Sequence, residues 1–129
     1  MGEQREDTGP AMARLDLARL AEISGGEREF EHEIAGEYLM QAWGLFEQAA
    51  GALEKRDAET LRRVAHTLKG SSHTIGAEGV AGVAHEIERA TVHSTHGVAP
   101  LVARALACLV ATERELDRHF GGPGYRKAA

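Results

Sequence analysis

Between Phe30 and Leu53 the apolar residues Phe30, Ile34, Tyr38, Ala42, Leu45, Ala49 and Leu53 recur every three or four positions without interruption, the spacing that places side chains on one side of an α-helix. The helix predicted here, from about Glu27 to Lys55, cannot bury so long a stripe against itself, so the rest of the chain must supply the surfaces that cover it. Leu39, Met40, Trp43 and Phe46 widen the stripe until the middle of this helix is apolar on most sides.

The covering surfaces are legible as further helices. Leu15, Leu20 and Ile23 share a helical spacing that Ser24-Gly25-Gly26 stops, which predicts a short lead-in helix. Asp57 is a predicted N-cap, because its carboxylate can accept from free backbone N–H groups of the next turn. The helix it opens runs to about Ile75 with Leu61, Ala65, Leu68, Ser72 and Ile75 inward, and Gly76 ends it. A third spans about Ala77 to Thr91, with Val80, Ala84 and Ile87 inward. After a polar loop at 93–97, Pro100 suits the first turn of a last helix. That helix carries Leu101, Ala105, Cys108, Leu109, Thr112, Leu116 and Phe120 before the glycines from Gly121 to Gly124 stop it.

Composition agrees. Ala occurs 22 times against 11 Val plus Ile, which favours helix over pleated strand. The predicted fold is all-α, an up-down four-helix bundle with a short extra N-terminal helix. It occupies residues 13–120, between a flexible arm at 1–12 and a frayed tail at 121–129.

Charge and cysteine narrow the function. Twenty acidic residues against fifteen basic ones give a net charge of -5, which disfavours nucleic acid as a partner. The single Cys108 cannot pair within the chain and reads as core, and no cationic start followed by an apolar run marks a secretory signal. No stretch approaches the roughly 18 consecutive apolar residues of a membrane span. A cytoplasmic monomer is expected.

One segment carries chemistry: Ala65-His66-Thr67-Leu68-Lys69-Gly70-Ser71-Ser72-His73-Thr74-Ile75-Gly76-Ala77. With the stripe inward, Arg62, His66, Lys69, Gly70 and His73 fall on the opposite face by their spacing of three and four. Gly70 costs an exposed helix interior roughly 1 kcal/mol relative to Ala, which is explained if the missing side chain clears an approach to the imidazole one turn away. Lys69, three residues on, brings an ammonium to the same space, where it can neutralise a dianion on the ring. An imidazole, a cleared approach and a cation describe a phosphoryl-accepting site.

Those thirteen residues resemble the signature of histidine-containing phosphotransfer (HPt) domains, in the form H-x-L-K-G-S-S-x-x-x-G-A. The similarity extends over about residues 14–119. The resemblance implies a four-helix bundle that relays a phosphoryl group between receiver-domain aspartates, or takes it from a sensor histidine kinase, on one exposed histidine. It gives His66 the acceptor's place, Lys69 that of the nearby cation and Gly70 that of the small residue giving access. Glu88, 22 positions after His66, matches the place where such domains often hold a Glu or Gln that hydrogen-bonds the imidazole. A carboxylate accepting from Nδ1–H would leave Nε2 free as the nucleophile. The shorter side chains of GVAGVAHEIE in this helix depart from the bulkier leucines of many relatives.

No G-x-x-x-x-G-K-[ST] or kinase-like glycine-rich loop is present, so the chain is expected to act as a carrier without its own ATP or metal site. The resemblance assigns Mg²⁺ to the receiver partner. Two other readings compete. One is a non-catalytic helical-bundle interaction module, against which the intact Lys69 and Gly70 argue. The other is metal binding by the seven histidines, which lack any H-E-x-x-H or C-x-x-C context. Arg62 would add positive potential or remain a solvated cation. His73 would belong to a docking surface or have no role, and Ser71 and Ser72 would cap and pack, or bond back to carbonyls within the helix. The apolar surplus at Leu39, Met40, Trp43 and Phe46 is expected to divide between cover from the lead-in helix and an exposed docking patch beside His66.

Overall fold

A computed structural model describes residues 10–126. Six α-helices follow one another: α1 (Pro10–Ala13), α2 (Leu17–Ile23), α3 (Arg28–Glu54), α4 (Ala58–Ile75), α5 (Glu78–Ala90) and α6 (Ala99–Phe120), then a 3-10 turn, η1 (Pro123–Arg126). Among the described residues there is no strand, only an isolated antiparallel bridge between Leu15 and Ala77.

The four long helices form the bundle that the stripes demand. α3 packs on α4 and α6, and α5 packs on the same two, so short connections fold the chain up and down around one core. Leu61, Ala65, Leu68, Ser72 and Ile75 of α4 are all buried, as are Val80, Ala84 and Ile87 of α5. Asp57 caps α4 as expected, its Oδ1 accepting from Thr60 N at 3.1 Å. Asp16 does the same for α2 through Arg19 N. Leu15 therefore stands outside the lead-in helix and bridges to Ala77 instead.

Both ends of the bundle are better ordered than the sequence suggests. The expected arm reached residue 12, yet Pro10–Ala13 form a helical turn against α5 and α6, with Ala13 fully buried. Gly79 admits this turn, since a Cβ there would meet the Met12 carbonyl oxygen at 1.9 Å. Residues 1–9 of the arm lie outside the described ones. The expected frayed tail is likewise held as far as Arg126. Tyr125 Oη donates to Asp117 at 2.6 Å, and Arg126 bonds both oxygens of that carboxylate and pairs with Glu113. Residues 127–129 lie outside the described ones.

The apolar surplus of α3 is not arranged as expected. Leu39 is core, Trp43 and Phe46 are partly buried against it, and Met40 is 59% exposed. Phe30, read as part of the inward stripe, is exposed because it opens the helix where no neighbour covers it. α2 is tied to the Gly76–Ala77 corner through Asp16 N and Leu15, and its Leu20 is fully buried in the same core as Leu39. Trp43 follows Gly36 by two turns on one side of α3, the side that meets Tyr125 of η1. Trp43 and Phe46 pair edge to face with ring centroids 6.1 Å apart, and neither lines the groove that holds His66.

Candidate functional site

His66 sits in the middle of α4, on the face opposite the buried stripe, with its side chain 65% exposed. The helix turns that face toward α5, and the two helices form one wall with a groove of about 280 Å³ lined by Glu59, Arg62, Arg63, His66 and Glu88. Glu88 reaches across from the last turns of α5, its Oε2 2.7 Å from His66 Nδ1. A carboxylate only accepts, so Nδ1 carries the proton, and in the neutral ring Nε2 then carries the lone pair. No hydrogen bond to Nε2 is formed among the described residues. α5, despite its short side chains, still aims Glu88 at the ring.

Lys69 stands where the spacing puts it but faces a different partner. Its Nζ lies 2.8 Å from Glu88 Oε1, at ion-pair distance but off the angle of a well-formed hydrogen bond, so this buried oxygen keeps no hydrogen bond of its own. The ammonium holds the Glu88 carboxyl below the usual carboxylate range, against an upward push from burial, and the His66 ring adds a further downward pull. One carboxylate thus serves two donors. Gly70, one turn beyond the ring, borders open space: a Cβ built there meets nothing within 4 Å. Its absence is not needed for packing.

The charge of this face opposes that of the chain. α3 carries six glutamates and one arginine, whereas α4 carries Arg62, Arg63 and Lys69 against Glu59 alone. Arg62 and Arg63 form no ion pair among the described residues and flank the groove that holds His66. A larger cleft of about 910 Å³ between the start of α3 and η1 contains neither His66 nor any residue of α4.

Other residues resolve differently. Ser71 Oγ donates to the Leu68 carbonyl at 3.4 Å, as expected. Ser72 does not bond back within its helix: fully buried, its hydroxyl meets Tyr38 Oη at 2.6 Å and ties α4 to α3. Burial pushes the Tyr38 hydroxyl up, far beyond its ordinary range. Cys108 is buried, and burial raises its thiol. His73 has a partner at each ring nitrogen. Its Nδ1 lies 3.0 Å from Glu78 of α5, and its Nε2 lies 3.3 Å from Arg19 Nη2 of α2. Sequence reading singled out neither partner; Glu78 lies only five residues beyond His73, but across a helix end, and Arg19 is 54 residues away. No group of three or more His, Cys, Asp or Glu side chains able to hold a metal ion occurs among the described residues.

The family model for the Hpt domain matches residues 33–118, two thirds of the chain. The chain belongs to the Hpt domain family. Hpt domains are histidine phosphotransfer modules of two-component systems, helical bundles that carry a phosphoryl group in exchange with receiver domains and kinases. The matched stretch takes in α4 and α5 with His66, Lys69, Gly70 and Glu88, and leaves out α1 and α2. No curated protein and no solved structure matches the chain. Among the described residues of this Hpt domain, no helix is long and apolar enough to cross a membrane.

Proposed function

We propose that this Hpt domain accepts a phosphoryl group on His66 Nε2 from the aspartyl phosphate of a receiver domain, or from a sensor histidine kinase, and passes it to another receiver. The observation that carries this reading is the exposed ring with Nδ1–H on Glu88 and Nε2 open. The Nε2 lone pair attacks phosphorus, and the bond from phosphorus to the aspartyl oxygen breaks with its electron pair left on the carboxylate. The Nδ1 proton stays in place, so the phosphorylated ring is cationic and the Glu88 carboxylate faces that charge at 2.7 Å. Glu88 acts here as a positioning residue.

Lys69 supplies charge to the transferred group. Its bent contact with Glu88 leaves the ammonium able to swing toward a dianionic phosphoryl on the neighbouring turn, a stronger acceptor than a shared carboxylate oxygen. Gly70 leaves the approach to the ring open to a receiver loop. Mg²⁺ belongs to the receiver, which uses it to hold the phosphoryl oxygens; this chain binds no cofactor of its own and works as a monomer. Because both phosphohistidine and acyl phosphate are high-energy species, transfer runs in either direction.

Incubation with a phosphorylated receiver domain tests the proposal. Label should move to this chain in an acid-labile, base-stable form, and His66→Gln should abolish it. Label that persists in that variant sinks the assignment, and absence of transfer from a wide panel of receivers favours an inert helical interaction module.

A further inference from the structure

Two turns beyond His66 on the same face of α4, His73 repeats its surroundings. Lys69 and Gly70 lie between the two rings, three and four residues after His66 and four and three before His73, so each histidine has both as neighbours. The side chains are equally open, 65% and 63% exposed. Each Nδ1 faces a carboxylate from α5, Glu88 at 2.7 Å and Glu78 at 3.0 Å, which fixes the same tautomer in both rings. His73 also borders a groove of about 450 Å³ that it shares with Lys69, Gly70 and His85, so a phosphoryl donor has room to reach it.

The rings differ at the second nitrogen. Arg19 Nη2 lies 3.3 Å from His73 Nε2, and a guanidinium only donates, so Nε2 is its acceptor. The lone pair that would attack phosphorus is the one Arg19 occupies. We infer that His73 is a second, latent phosphoryl-acceptor site, closed by Arg19, and that this arginine makes phosphotransfer on the Hpt domain single-sited. The inference rests on the reading of His66 above, since it extends the same chemistry to a second ring.

Arg19 is held in position to do this. Asp16 N donates to the Gly76 carbonyl at 2.8 Å, which pins the start of α2 to the end of α4. Gly76 stands at φ +90°, where a Cβ would lie 2.6 Å from Asp16 O and 3.2 Å from Arg19 Cβ, so only glycine lets α2 come this close. Asp16 and Arg19 lie before the matched residues 33–118, whereas His73 and Gly76 lie within them.

Phosphoramidate tests it without a receiver: its P–N bond breaks, ammonia leaves, and a bond from phosphorus to the imidazole nitrogen forms. In the full chain, phosphopeptide mapping should find His66 labelled and His73 at least about tenfold slower, the scale of one charge-assisted hydrogen bond to be broken. Arg19→Met, which keeps the aliphatic stem and removes the donors, should bring His73 up about tenfold and leave His66 unchanged. Equal labelling of the two histidines in the native chain overturns the inference, as does unchanged His73 labelling in a folded Arg19→Met variant. Should that variant not fold, imidazole ¹⁵N spectra of the native chain decide: His73 Nε2 is expected unprotonated and accepting, and a proton on Nε2 refutes the closure. Failure of the His66 reading shows separately, as a phosphorylated receiver that does not load His66.

Discussion

Gly70 and Gly76 lie six residues apart in one motif, and their surroundings have nothing in common. At Gly70 an added Cβ would meet no atom within 4 Å, in the middle of a solvent-facing helical turn. At Gly76 the backbone is left-handed and the Asp16 carbonyl lies 2.6 Å from where a Cβ would be. The first glycine leaves space that the fold does not use, and the second creates a contact on which the fold depends. A single motif therefore holds one glycine that packing does not require and one that it does, and the residue type alone does not say which is which.

Substitution should separate them. Gly76→Ala forces both a strained φ and a steric shift of the lead-in segment, and should cost about 3 kcal/mol, read as a fall in melting temperature on the order of 10 °C. Transfer to His66 in whatever remains folded should change little. Gly70→Ala should do the reverse, holding stability or raising it by up to about 1 kcal/mol while slowing transfer. A large loss of stability at Gly70, or a tolerated alanine at Gly76, breaks the contrast.

A finer effect comes from Glu88, which joins the open side of the motif to α5. Its carboxyl titrates below the ordinary 4.5 because the Lys69 ammonium, and less strongly the His66 ring, favour its charged form. A group whose folded-state pKa is depressed adds stability above the unfolded value and loses it as pH falls through the folded one. The stability difference between the native chain and Glu88→Gln should thus be present at neutral pH and shrink as the solution is taken below about pH 4.5. A difference that grows on acidification would contradict the paired geometry.

How much of this was legible depends on how far each signal reaches along the chain. The stripe of α4 and its Asp57 cap could be read because period and cap are local properties. The open face with His66, Lys69 and Gly70 followed from the same period. α1 and η1 could not be read, because four residues have no period and their order comes from distant contacts: Met12 over Gly79, Arg126 on Asp117. The period puts Lys69 on the same face as His66, but its pairing with Glu88 depends on how α5 is rotated, which a single stripe specifies only loosely. Ser72 was legible as an inward, packing residue, but its partner, the Tyr38 hydroxyl 2.6 Å away and 34 residues distant in sequence, was not. Arg19 and His73 meet only because α2 docks on the Gly76 corner.

The proposed transfer needs the Glu88 carboxylate to keep the proton on His66 Nδ1 and leave Nε2 as the nucleophile. The most direct measurement is a ¹H–¹⁵N and ³¹P NMR analysis of the chain after loading from a phosphorylated receiver, which tells which imidazole nitrogen bears the phosphorus. The geometry predicts phosphorus on His66 Nε2 with Nδ1 still protonated. Phosphorus on Nδ1, or on any residue other than His66, would contradict it.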